Sequence, residues 1–193
     1  MLWQTGGVTS LPTWYAARYC EENTWRLLRD LPPDQLTPHA VFISNPQRCC
    51  GVWAQRSAPS ADDPVWWDYH VVALAFRQGW QVFDLDTRLP CPSPAAAYLD
   101  GAFPSDRRPP ARFRPRFRVV PGADYLREFA SDRSHMRRPD GTVDAQEPPE
   151  PPIRTATSTM NLWRFVDVTE PFLGEVMDLS GLRRWPARTP PRR

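Results

Sequence analysis

With 193 residues, 41% hydrophobic and 12% aromatic, the chain has enough apolar material for one core, and nine tryptophans exclude a disordered polypeptide. A net charge of +2 gives the molecule as a whole little attraction to nucleic acid or anionic lipid, and 24 prolines exclude long helical bundles. All 24 basic residues are arginine, so phosphate-loop lysines, Schiff-base lysines and Ser-Lys dyads are excluded as well.

One domain over residues 1–193 is expected, with mobile ends at about 1–12 and 186–193. Trp25, Leu28 and Leu31 recur at helical spacing and predict a helix from about Tyr19 to Leu31, headed by Glu21 and Glu22 and stopped by Pro32 and Pro33. HAVFIS (His39 to Ser44) and GVWAQR (Gly51 to Arg56) read as short strands around an NPQRCC turn. VWWDYHVVALAF, Val65 to Phe76, is the strongest strand signal; RQG then leads into a second strand, Trp80 to Leu89, and the two predict an antiparallel hairpin at the sheet centre. AAAYLDGAF and ADYLREFASD read as short helices, ARFRPRFRVV as extended chain, and HMRRPDGTVDAQEPPEPP as a polar loop. Many short elements and frequent prolines predict a mixed α/β (α+β) fold. No apolar run approaches the roughly 20 residues that span a bilayer, and the N-terminus lacks a secretion-signal pattern, so a soluble, intracellular monomer with reduced cysteines is expected.

The chemistry-bearing residues begin with Cys20. A thiol at a helix N-terminus feels partial positive charge that favours thiolate, whereas a helix capped earlier, at Thr13, would leave Cys20 in its middle. His70 lies in an apolar, aromatic strand and is either a satisfied core residue or a general base in a dry site. The next strand supplies Asp84 and Asp86 on one face. Either shares a face with His70 if the hairpin loop is odd in length or bulged, completing the base-plus-orienter half of a Cys-His-Asp group. His39 and His135 read as surface or loop residues, SDRSH bordering a pocket at most; a zinc site from His39, Cys49, Cys50 and Cys91 lacks a Cys-x-x-Cys knuckle. RFRPRFRV, Arg112 to Val119, fits an edge strand with one solvated arginine face better than an RNA-binding stripe.

In chain order, YCEEN (Tyr19 to Asn23), VFISN (Val41 to Asn45), WDYHVV (Trp67 to Val72), DLDT (Asp84 to Thr87), FRV (Phe117 to Val119), FASDRSHM (Phe129 to Met136) and MNL (Met160 to Leu162) resemble the protein N-terminal glutamine amidohydrolases. The resemblance spans about Tyr19 to Leu179. It implies a papain- or transglutaminase-like cysteine hydrolase with a Cys-bearing helix packed on an antiparallel sheet, without metal or other cofactor. It also implies conversion of N-terminal glutamine to glutamate in the cytoplasm, and with it the nucleus, upstream of arginylation and N-degron degradation. Carried onto matching positions, it makes Cys20 the nucleophile, His70 the base and Asp84 the orienter. The substrates would be proteins or peptides with a free N-terminal glutamine, and Glu21, Glu22, Asp132 or backbone carbonyls would hold the α-ammonium. A related peptidase or transglutaminase, and a non-catalytic RNA-binding or scaffold protein, are the alternatives.

Overall fold

The computed structural model describes residues 12–31, 37–76, 78–143 and 145–188. The segments expected to be mobile lie outside the described residues except for Pro12, which is buried, and residues 186–188, which finish a helix. In chain order the elements are α1 (Cys20–Asp30), β1 (Thr37–Ser44), β2 (Cys50–Val52), β3 (Val65–Trp67), β4 (His70–Phe76), β5 (Trp80–Phe83), β6 (Ser93–Pro94), α2 (Ala95–Ala102), β7 (Arg116–Pro121), α3 (Gly122–Glu128), α4 (Leu162–Val166), β8 (Glu175–Asp178) and α5 (Leu179–Arg188). Short 3₁₀ turns occupy Ala111–Phe113 and Ser134–Met136.

Six strands form one antiparallel sheet in the order β6-β5-β4-β1-β7-β8, and β2 pairs with β3 separately. Because strand side chains alternate, the central strands feed two cores at once. Ala40 and Phe42 of β1 and Val71, Ala73 and Ala75 of β4 pack with Leu27 and Leu28 of α1, Tyr125 of α3 and Phe165 of α4. Their neighbours Val41, Ile43, Val72 and Leu74 pack on the opposite face with Tyr98 and Leu99 of α2 and Leu182 and Trp185 of α5. The result is a mixed α/β domain with helices on both faces of an antiparallel sheet. Among the described residues no helix is long and apolar enough to cross a membrane.

The start of α1 is fixed from outside the helix. No side chain caps it at Tyr19. Instead the Asn23 amide donates to the Ala16 carbonyl (2.7 Å) and accepts from the Ala16 N–H (3.0 Å), which sets the approach of the chain and places Cys20 at the first helical position, not mid-helix. Thr24 Oγ1 donates to the Val71 carbonyl (3.1 Å), pinning the helix to β4.

Three strand readings change in the fold. Val65 to Phe76 is two strands: the Asp68 carboxylate accepts the next residue's N–H (2.9 Å) and its carbonyl accepts from Ser44 Oγ, so the chain bends there and moves from one sheet to the other. The expected strand Trp80 to Leu89 ends at Phe83 because Asp84 Oδ1 accepts the Asp86 N–H (2.9 Å) and turns the chain. GVWAQR leaves extended structure after Val52, with Ala54 at φ +54°. A fourth correction concerns RFRPRFRV. β7 lies between β1 and β8, not at an edge, since β8 covers its far side. Phe117 and Arg118 are therefore both buried, and Arg118 donates to the carbonyls of Phe165 (3.0 Å), Asp167, Glu170 (2.9 Å) and Leu173 (3.2 Å). An arginine spent on four carbonyls is a staple for the segment before β8, not part of a nucleic-acid stripe.

Candidate active site

The largest described cleft, about 750 Å³, has Cys20 on its lining, with Tyr15, Arg18, Trp66, Trp67, Tyr69 and His135 among its walls. A second cavity of about 400 Å³, lined by residues such as Trp53, Arg107, Arg114 and Arg183, lies elsewhere and contains no cysteine or histidine. Cys20 heads α1, and α1 packs on β4 and is pinned by Thr24 at Val71, the residue after His70; the Val71 N–H favours the charged form of the thiol.

His70 is wholly buried, and its Nε2 lies 3.0 Å from Asp84 Oδ1. β4 pairs with β5 through Phe76↔Trp80, and an odd number of residues between these partners is the condition under which Asp84 and His70 share a face. Asp84 is held in turn: its Oδ2 accepts from Tyr98 (2.8 Å) and Gln55 (3.1 Å). The Trp67 ring stacks on the imidazole at 5.4 Å and 14°. With Nε2 committed to Asp84, Nδ1 is the ring nitrogen left without a hydrogen-bond partner.

Electrostatics set the resting protonation state. Burial pushes the Cys20 thiol well above its usual value, Glu21 and Asp86 add to this, and the Val71 N–H only partly opposes it. Accordingly, the Cys20 Sγ–H points its hydrogen bond to Glu21 Oε2 (3.7 Å). For His70, burial is the largest influence and disfavours the charged form, but the charge and hydrogen bond of Asp84 together with Asp86 and Glu21 outweigh it, and the net proton affinity is raised. Burial also opposes the Asp84 carboxylate, yet His70 and the hydrogen bond from Gln55 hold its pKa below the usual value. Cys50 and Cys91 are pushed up to about 12, chiefly by burial, and neither has a comparable base.

His70, Asp84 and Asp86 bring potential metal-ligand atoms within 4.8 Å of one another. The donor set does not suit a cation: Asp84 already takes hydrogen bonds on both oxygens, and Asp86 Oδ1 accepts from Tyr15 OH at 2.5 Å. A metal would have to displace those donors.

The remaining candidates separate sharply. Glu22, fully buried, receives a bidentate pair from Arg133 (2.8 and 2.8 Å) and a third bond from Arg26 (2.8 Å), so it is committed to the protein itself. Asp132 is half-buried and its carboxylate accepts the Ser134 N–H (2.9 Å); none of Glu21, Glu22 and Asp132 is itself on the cleft lining. Glu21 is equally buried but only partly satisfied. Its Oε2 accepts from Tyr69 OH (3.1 Å), His135 Nε2 lies 3.5 Å from Oε1, and Oε1 makes no hydrogen bond.

His135, expected at a surface or in a loop, has a nearly buried ring contacting Tyr69 (3.1 Å) and Glu21, because Arg133 at φ +65° turns the chain into the Ser134–Met136 turn. His39 is not at the surface either: it packs on Trp80 and Trp185, and burial lowers its pKa to about 4. Sequence reasoning missed Tyr69, Trp67, Gln55, Tyr98 and Tyr15. The first two stand in WDYHVV, so that motif was the available signal; the others carry none.

The family model of N-terminal glutamine amidases matches residues 15–185. Proteins named protein N-terminal glutamine amidohydrolase from Bos taurus and Homo sapiens are each 42% identical over 160 residues, covering 80% of this chain and 77% and 78% of theirs. The Danio rerio protein of that name is 42% identical over 174 residues, 86% of this chain and 85% of its own.

Proposed function

We propose, from the premise that this chain belongs to the N-terminal glutamine amidase family, that it hydrolyses the side-chain amide of an N-terminal glutamine to give an N-terminal glutamate and ammonia. The observation that carries the site assignment is the buried His70–Asp84 pair with its free Nδ1, on the strand against which the helix headed by the cleft-lining Cys20 packs. A cysteine helix packed against an antiparallel strand that bears the histidine supports placing the domain with papain- or transglutaminase-like cysteine hydrolases.

Cys20 transfers its proton to His70 Nδ1 and attacks the glutamine Cδ carbonyl; His70 then gives that proton to the departing ammonia. Water, deprotonated by His70, cleaves the thioester and releases glutamate. Asp84, fixed by Tyr98 and Gln55, holds the imidazole orientation and stabilises its charged form. The backbone N–H of Cys20, at the start of α1, is the first donor for the oxyanion.

Glu21 binds the free α-ammonium. It has an unsatisfied buried oxygen directly behind the cleft-lining Tyr69 and His135, whereas Glu22 is occupied by two arginines and Asp132 by Ser134. The same contact activates the nucleophile: a positive charge at Glu21 offsets one of the groups that hold Cys20 protonated, so thiolate forms when the right substrate is present. A product with N-terminal glutamate is then a substrate for terminal aminoacylation. The test pairs Gln-initiated, Asn-initiated and N-acetylated Gln peptides, with ammonia release and mass spectrometry as readouts. Deamidation of the free Gln peptide alone is expected. Cleavage of internal bonds, amine incorporation, or equal action on the acetylated peptide would sink the assignment.

A further inference from the structure

The Cys20 cleft is larger than one glutamine side chain requires, and its outer part carries a distinct charge pattern. Arg18, Arg56, Arg137 and Arg138 line it against two carboxylates, Asp68 and Asp86. Arg56 spends its Nε on the Thr87 carbonyl and lies in the field of Asp86, so the charge available at the mouth is carried by Arg18 and Arg137, which neither carboxylate cancels effectively. Asp86 is buried under the Tyr15 hydroxyl, with its pKa raised mainly by burial, and Asp68 spends an oxygen on the Tyr69 N–H. Arg137 meets Glu147 at 3.3 Å, but these side chains are 54% and 40% exposed, a pair of the kind that contributes little and exchanges readily. On the cleft wall, Trp66 is 50% exposed, the large apolar side chain left open to solvent among the described residues. An open indole beside guanidinium groups is a surface suited to holding extended chain.

We propose that the mouth of this cleft is a subsite for acidic residues in the few positions after the terminal glutamine. The proposal rests on the activity assigned above, which seats the α-ammonium at Glu21 and sends the rest of the substrate outward past Trp66, Arg18 and Arg137. Arginines on a cleft wall concentrate positive potential there, attract carboxylates and offer them paired N–H donors, while a basic segment is repelled.

The test measures ammonia release by the full chain from Gln-Gly-Glu-Glu-Tyr, Gln-Gly-Ser-Ser-Tyr and Gln-Gly-Arg-Arg-Tyr at low and high salt. kcat/KM should fall in that order, by about tenfold from first to last at low salt, and the spread should shrink when salt screens the exposed charges. The exposed charge reversal R137E should narrow or invert the order, and the unaltered protein gives the decisive peptide series even if that variant folds poorly. Equal kcat/KM for the three peptides, or an order indifferent to salt, would overturn the subsite while leaving the deamidase intact. Ammonia from none of them would overturn the activity itself and the subsite with it.

Discussion

Two buried charged clusters sit side by side at the head of α1, built on consecutive glutamates. Around Glu22, every carboxylate oxygen meets a guanidinium, from Arg26 one turn along the helix and from Arg133 far down the chain. Around Glu21, one oxygen has no hydrogen bond, His70 Nδ1 and His135 Nδ1 have none, and a thiol is held protonated. The first cluster is closed and ties the 132–150 segment to the helix. The second is left open, which is costly in an empty protein and useful only if a ligand completes it. What separates the two is the glutamate itself: both oxygens of Glu22 accept hydrogen bonds and one of Glu21's does not, although Arg26 Nε in the closed cluster has only an ion-pair contact with Glu150 at 3.2 Å.

The contrast can be broken at several points. Cys20→Ala and His70→Ala should each lower deamidation by about 10³-fold or more with the fold retained, read by ammonia release and circular dichroism. Next in size, Arg133→Met leaves Glu22 short of its bidentate partner and should cost roughly 3–5 kcal/mol in denaturant unfolding, because an unpaired charge remains buried. If that variant is as stable as the parent, the closed cluster is not the framework it resembles.

Glu21→Gln should behave in the opposite way. It should leave stability unchanged or improved, lower kcat/KM by about 10- to 100-fold through the lost pairing with the substrate amine, and shift iodoacetamide alkylation of Cys20 to lower pH. The sign follows from removing a negative charge that opposes the thiolate. Stability loss without an alkylation shift would place Glu21 in the framework.

The smallest effect concerns pH. Raised His70 affinity means the folded state binds the extra proton, so its contribution is complete below the ordinary histidine pKa and is lost as pH rises through the folded value. Asp84→Asn removes the main cause of that rise and leaves burial dominant. The local contribution should then reverse slope, and its window should move below the ordinary histidine pKa: it increases as pH rises from the lowered folded value to the unfolded one, measurable as unfolding free energy against pH. Asp84 itself, with its lowered pKa, stabilises above its unfolded value and loses that contribution as pH falls through the folded one.

Much of the site was legible because its signals are local. The helix stop at Pro32 and Pro33 and the hairpin after Phe76 are written within a few residues, and the odd loop then puts Asp84 on the face of His70. What failed were readings of strand extent. Val65 to Phe76 is uniformly strand-like in composition, but a single Asp68 turn redirects it, and β7 reads as an edge strand because β8 arrives from the far end of the chain.

From the sequence alone came the apolar alternation that makes a two-sided sheet, a thiol at or near a helix head, and a histidine that could meet Asp84 or Asp86 if the loop was odd; the helix start at Cys20 and the choice of Asp84 came with the fold. Only the tertiary structure decided which glutamate keeps an oxygen without a hydrogen bond. Glu22 and Arg133 are 111 residues apart, and so is their salt bridge's signal: no periodicity or turn rule links them. The same holds for His135 beside Glu21, and for Tyr98 and Gln55 on Asp84. Local rules place a charged side chain on a face; its occupancy is set by whichever distant donor folding brings within hydrogen-bond reach.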